Sequence, residues 1–223
     1  EGDDRRCVEI IAGPLIAAAP PPDAALPVVR TWALSAEDLS GSRSPPTPTH
    51  HMRIEMAMIS GTRWAPDDIL AAARGAAAIL AQCGIRVDAV QLREFEGPRR
   101  YRYLHTPDSR EFARRSTLGR PAVFFVDDTR QRPAFDAEAV GRANSASRPE
   151  MENTVWITAG IRDLPVALAH ELVHVLTDSG VHADAPGNLM REETSAASTR
   201  LSTAQCTAMR ESGVARGLLR QGP

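Results

Sequence analysis

The 223-residue sequence contains no lysine; all 26 of its basic residues are arginine. No site chemistry would exclude lysine from every surface position, so the absence reflects genomic base composition. It rules out a lysine Schiff base and a phosphate-binding-loop lysine. A Gly-rich phosphate cradle and a Gly-x-Ser-x-Gly nucleophile elbow are missing too. Charge of either sign is not in excess, with 26 basic against 28 acidic residues and a formal net charge of −2. Nothing in that balance draws the chain to nucleic acid or to an anionic membrane. No apolar run approaches the roughly 18 residues that cross a bilayer.

Cysteine is scarce. Cys7, Cys83 and Cys206 leave at least one thiol unpaired and are too few and scattered for a zinc-finger framework. Cys83 ends an expected helix and Cys206 lies inside another. They are either a disulfide in an oxidising compartment or two buried free thiols. No secretory leader is visible in the acidic start at Glu1, so the chain reads as a processed or truncated form. What is present is ample core: 43% hydrophobic and 24% charged residues suit one folded domain, alone or with a tail.

Eight of the 17 prolines fall in the first 48 residues, including Pro20-Pro21-Pro22 and Pro45-Pro46-Thr47-Pro48. Residues 1–49 therefore read as an extended arm with one short strand near Val28–Leu34. The arm is a wrap over the domain, a linker or a pro-segment remnant, and the catalytic domain is expected over residues 50–223. Alternation of Met52, Ile54, Met56 and Met58 with Arg53 and Glu55 predicts a strand. Pro66-Asp67-Asp68 opens an Ala-rich helix to about Gln82, with Gly84 as its stop. Ile85–Phe95, Pro121–Val126 and Thr154–Thr158 are further strands. Asp163 is placed to cap a helix that runs to about Asp178, where Gly180 ends it. A last helix spans about Ser202–Arg216. Strands and helices mix without regular alternation, so the class is α+β.

The chemistry lies in His170-Glu171-Leu172-Val173-His174. Residues four apart share one helix face, so both imidazoles reach one metal ion. Leu168, Leu172, Val175 and Leu176 form a stripe nearly opposite, which gives the helix an apolar side for the core and a polar side for a cleft. Glu171 projects beside the metal, where it can take a proton from water. Chance alone would place His-Glu-x-x-His in roughly one such chain in a hundred. A catalytic zinc takes three protein ligands and leaves a position for water. His182 is the favoured third ligand, because imidazole suits zinc and Gly180 supplies the chain reversal. Asp178 and Glu192 or Glu193 are alternatives. His50 and His51 lie far off in sequence and read as surface histidines.

These residues, followed by Gly187-Asn188-Leu189-Met190, resemble the metzincin clan of zinc metallopeptidases over about residues 50–216. The spacing departs from the clan pattern: Thr177 stands at its glycine position, Gly180 at its ligand position, and His182 two residues later. The resemblance implies a twisted mixed β-sheet with a backing helix, an active-site helix and a C-terminal helix. It also implies His170, His174 and His182 as zinc ligands, Glu171 as general base and Met190 as a Met-turn. The expected function is a zinc-dependent metalloendopeptidase, secreted or periplasmic, acting on protein or peptide substrates.

Thr154, Val155, Trp156 and Ile157 are expected either to form an edge strand that pairs with an extended substrate or to be an ordinary interior strand. The Arg-rich stretch from Arg99 to Arg120, with Tyr101 and Tyr103, is read as solvated surface rather than a nucleic-acid site. Cys7 is a candidate latency thiolate only if the arm folds across the cleft. Two other functions stay open. One is a zinc hydrolase of another lineage completed by Asp178 or Glu193. The other is a non-catalytic binding module with a structural zinc, against which the intact Glu171 argues.

Overall fold

Central to the sheet is the strand that alternating methionines and charges predict. In the computed structural model, which describes residues 24–40, 48–130, 139–142 and 147–222, β1 (Val28–Ser35) leads into the short α1 (Ala36–Ser40). The central strand β2 (His50–Ile59) is followed by the backing helix α2 (Pro66–Leu80), then β3 (Ile85–Phe95), β4 (Tyr103–Leu104) and α3 (Thr106–Ser116). Next come β5 (Ala122–Val126), β6 (Asp128–Thr129), β7 (Ala139–Arg142) and β8 (Thr154–Thr158). The helix α4 (Leu164–Thr177), α5 (Thr203–Ala215) and β9 (Arg220–Gln221) complete the order.

The main sheet runs β1-β3-β2-β5-β8-β7, with β9 added to β2, and β4 pairs with β6 apart from it. β3, β2, β5 and β8 are mutually parallel, whereas β1 and β7 are antiparallel edges. This is the mixed sheet with packed helices that the sequence predicts. Among the described residues no helix is long and apolar enough to cross a membrane.

Local chemistry accounts for the helix ends. Pro66 starts α2, a 3₁₀ turn at Ala81–Cys83 follows it, and Gly84 at φ 68° adopts the left-handed conformation that stops it. α5 opens with a complete capping box between Ser202 and Gln205. α4 differs from expectation at both ends. Asp163 occupies the N-cap position, but in the left-handed region and without a side-chain cap bond. Asp178 (φ 52°), not Gly180, makes the left-handed residue at the other end. Asp visits that region more readily than most residues because a short polar side chain can hydrogen-bond nearby backbone, and the Ser179 N–H closes the last turn on the His174 carbonyl at 3.2 Å.

α2, α4 and α5 cover one face of the sheet. Leu168, Leu172, Val175 and Leu176 are fully buried there, each contributing on the order of 1.5–3 kcal/mol. Gly75 of α2 lets α4 approach closely, since a Cβ there would lie 2.5 Å from the Cβ of Pro165. The opposite face is aromatic: Phe124 stacks on Trp156 at 4.3 Å between ring centres, and the Phe112 ring meets Phe124 edge-on at 5.0 Å. Cys83 and Cys206 form a disulfide with Cα atoms 4.9 Å apart. It ties the end of the α2 segment to α5.

Three placements sharpen the sequence reading. The arm's expected strand exists as β1, and its hydrogen bonds to β3 draw it into the sheet, ahead of the His50 boundary. β8 is not an edge: Thr154, Val155, Trp156 and Ile157 are all buried and pair with β5 on one side and β7 on the other. A strand apolar on both faces belongs inside a sheet. The Arg99–Arg120 stretch contains a 3₁₀ turn and α3; Arg99, Arg100, Arg110 and Arg114 are exposed, and several of its arginines pair within the protein. Arg100 bonds Glu111, Arg102 bonds Asp127, and Arg120 donates to the carbonyls of Leu118, Glu150 and Glu152.

Candidate metal centre

α4 delivers His170 and His174 one turn apart, and the chain beyond Asp178 returns His182 to the same place. The Nε2 atoms of His170 and His174 are 2.9 Å apart, and those of His174 and His182 are 3.2 Å apart. A tetrahedral ion with bonds of about 2.0–2.1 Å needs its nitrogens about 3.3 Å from one another. Among the described residues, these three histidines are the group able to hold a metal ion.

The outer ring nitrogens fix the tautomers. His170 Nδ1 is 2.8 Å from the Leu189 carbonyl oxygen, and His174 Nδ1 is 2.6 Å from that of Ser179. A carbonyl only accepts, so each Nδ1 carries the proton and each Nε2 presents its lone pair inward. Burial pushes the pKa of His170 down to about 4; the Leu189 carbonyl opposes this, and the neighbouring imidazoles add to it. Burial also lowers His174, against the pull of the Ser179 carbonyl and with help from His182. Both rings are therefore neutral at pH 7. Lone pairs converging at about 3 Å repel one another unless a cation lies between them, so the donor set fits a divalent ion such as zinc.

Glu171 is 7% exposed and lines the same cleft as the histidines, a space of about 610 Å³. Val140 and Gly141 of β7 form one wall, and Ile161 and Ala167 contribute apolar surface. Gly141 packs directly on the helix: a Cβ there would sit 2.9 Å from both the main-chain oxygen and Oε2 of Glu171. None of these wall residues carries a sequence signal. β7 is four residues long within polar sequence, and only its pairing with β8 makes it a strand.

The other candidates separate clearly. Asp178 and Glu192 line the cleft but lie outside the histidine group, and Glu193 does not line it. The Asp178 carboxylate faces Arg216 at 4.0 Å. His50 is buried rather than superficial and bonds Thr49, while His51 bonds Asp88; neither joins the metal group. Met190, 3% exposed, is packed in the core at the end of the turn that follows Gly187 (φ +71°). Cys7 lies outside the described residues.

No protein-family model and no curated protein matches the chain. Among solved structures, the crystal structure of metalloproteinase-II from Bacteroides fragilis is similar, with a TM-score of 0.48 and 17% sequence identity. The match covers 76% of this chain and 54% of that one, so the chain spans about half the length of that structure.

Proposed function

We propose that the chain is a zinc-dependent metalloendopeptidase of the metzincin clan. The observation that carries this reading is the convergence of three Nε2 atoms in a cleft where a carboxylate, Glu171, follows the first of them in sequence. His170, His174 and His182 hold the ion. Bound zinc supplies Lewis acidity, which acidifies water and polarises a carbonyl. The Glu171 carboxylate accepts the proton of the attacking water and returns it to the leaving amine nitrogen. Its burial beside Gly141 limits its rotamers and keeps it aimed into the cleft. β7, the last strand of the main sheet among the described residues, rather than β8, offers main-chain donors and acceptors to an extended peptide. Met190 serves as the Met-turn. The Cys83–Cys206 disulfide supports an oxidising, secreted or periplasmic setting.

Glu171→Gln tests the reading. The variant is expected to keep its zinc and to lose casein or peptide-library hydrolysis by about 10²–10⁴-fold, the usual worth of a general base. Hydrolysis equal to that of the parent refutes the mechanism.

A further inference from the structure

The turn that carries the Leu189 carbonyl is braced by two side-chain amides. Asn188 Nδ2 donates to Gln205 Oε1 at 3.0 Å, and Gln205 Nε2 donates back to Asn188 Oδ1 at 3.0 Å. Asn188 Oδ1 also accepts the Met190 N–H at 2.8 Å. Gln205 Oε1 accepts the Ser202 N–H at 2.8 Å within the α5 capping box. Asn188 is only 8% exposed, so water is a poor substitute for these bonds.

The consequence follows from peptide planarity. The C=O of Leu189 and the N–H of Met190 belong to one rigid unit and point in opposite directions. Asn188 Oδ1 holds the N–H end, so the carbonyl end can only point away from it, toward His170 Nδ1 at 2.8 Å. Gln205 in turn fixes which amide atom Asn188 offers. If Asn188 rotated its amide by half a turn, Nδ2 would face the Met190 N–H, donor against donor. The next carbonyl, that of Met190, accepts the N–H of Ala183 at 2.7 Å, so the same turn also anchors the residue after His182.

We infer that Asn188 and Gln205 are positioning residues for the metal ligand His170, acting through the Leu189–Met190 peptide. This inference rests on the metal-centre reading proposed above. Disturbing a group that hydrogen-bonds a metal ligand, as the Leu189 carbonyl does His170, typically changes metal affinity 10–100-fold.

Three variants of the full chain separate this role from simple helix support. Asn188→Ala removes the acceptor that holds the peptide. Gln205→Glu keeps a good capping-box residue at the start of α5 but has no donor for Asn188 Oδ1. Ser202→Ala removes the capping hydroxyl, which accepts the Gln205 N–H at 3.2 Å, and leaves the amide pair in place. Zinc affinity is measured by competition with a chromophoric chelator, and ligand geometry by the visible spectrum of the cobalt(II)-loaded protein. The melting temperature of the metal-free chain gives fold stability.

Asn188→Ala and Gln205→Glu are expected to bind zinc about 10–100-fold more weakly with altered cobalt bands. Ser202→Ala should lower the melting temperature yet bind zinc as the parent does. Gln205→Glu keeps the test decisive if Asn188→Ala does not fold. Parent-like zinc affinity and cobalt bands in Gln205→Glu overturn the inference and leave the metal centre standing. Equal loss in Ser202→Ala and Gln205→Glu overturns it in favour of helix stability. A parent chain that binds no zinc removes the inference and the metal-centre reading together.

Discussion

On one face of the sheet, Phe95, Tyr101, Phe112, Phe124 and Trp156 are each almost wholly buried and in ring-to-ring contact. On the other, the helices rest mainly on methionine, leucine, isoleucine, valine and alanine, with Phe125 and Trp64 meeting edge-on at 5.1 Å, and a cleft remains beside α4 where three histidines and a glutamate gather. Aromatic residues make up only 4% of the chain, and half of them are spent on the face away from the cleft. The two faces share β5 and β8, whose alternate residues point to each. Side chains that give the most apolar area, about 150–250 Å² each, thus stabilise the strands from behind. The front face is mainly aliphatic, and glycines at two points, Gly75 and Gly141, let helix and strand come close enough to aim polar groups.

The contrast predicts that the faces fail differently. Trp156→Ala should cost the most stability, about 3–5 kcal/mol by urea unfolding, while the folded fraction keeps its zinc stoichiometry. Zinc loss from protein that is still folded would show the faces to be coupled. Gly141→Ala should act on the site first. Its methyl group meets both the Glu171 carboxylate and the Glu171 main-chain oxygen, and hydrolysis by the folded protein should fall about 100-fold, the scale of a misplaced catalytic group, alongside a stability loss of about 1–3 kcal/mol from overpacking. Unaltered turnover would mean that Glu171 has room to spare.

A smaller effect is expected where the front helices touch. Gly75→Ala improves helix propensity by about 1 kcal/mol, yet it drives a methyl group into the rigid ring of Pro165. A net loss of about 1–2 kcal/mol is the expected result, since overpacking costs roughly 1–3 kcal/mol; a gain in the urea midpoint would show that α4 can shift without cost. Least of all should come from Asp178→Asn, which keeps a residue suited to the left-handed region. Stability should move by less than about 0.5 kcal/mol, with zinc affinity unchanged in a chelator titration. Weakened zinc binding there would give Asp178 a place at the metal that the geometry assigns to His182.

Much of this was legible in the residues because periodicity and capping are local. The alternation in β2, the run Ile85–Phe95 and the His170–His174 spacing each fix an element without help from distant sequence. What escaped is set by tertiary pairing. Ala139–Arg142 is a strand only because β8 lies beside it. Thr154–Ile157 reads equally as edge or interior until that neighbour is known, although its unbroken burial on both faces belongs to an interior strand. Propensity places the chain reversal after α4 at Gly180, yet Asp178 takes it; the turn has to close immediately on His174 for Ser179 to reach that ring. The amide pair joins residues 17 apart in sequence and belongs to no local pattern.

Zinc stoichiometry of the purified chain, by elemental analysis before and after dialysis against a chelator, bears most directly on the central claim. One tightly held zinc per chain is predicted, falling to none in His170→Ala and His174→Ala proteins that remain folded. A parent chain without metal, or histidine variants that retain it in full, would contradict the account.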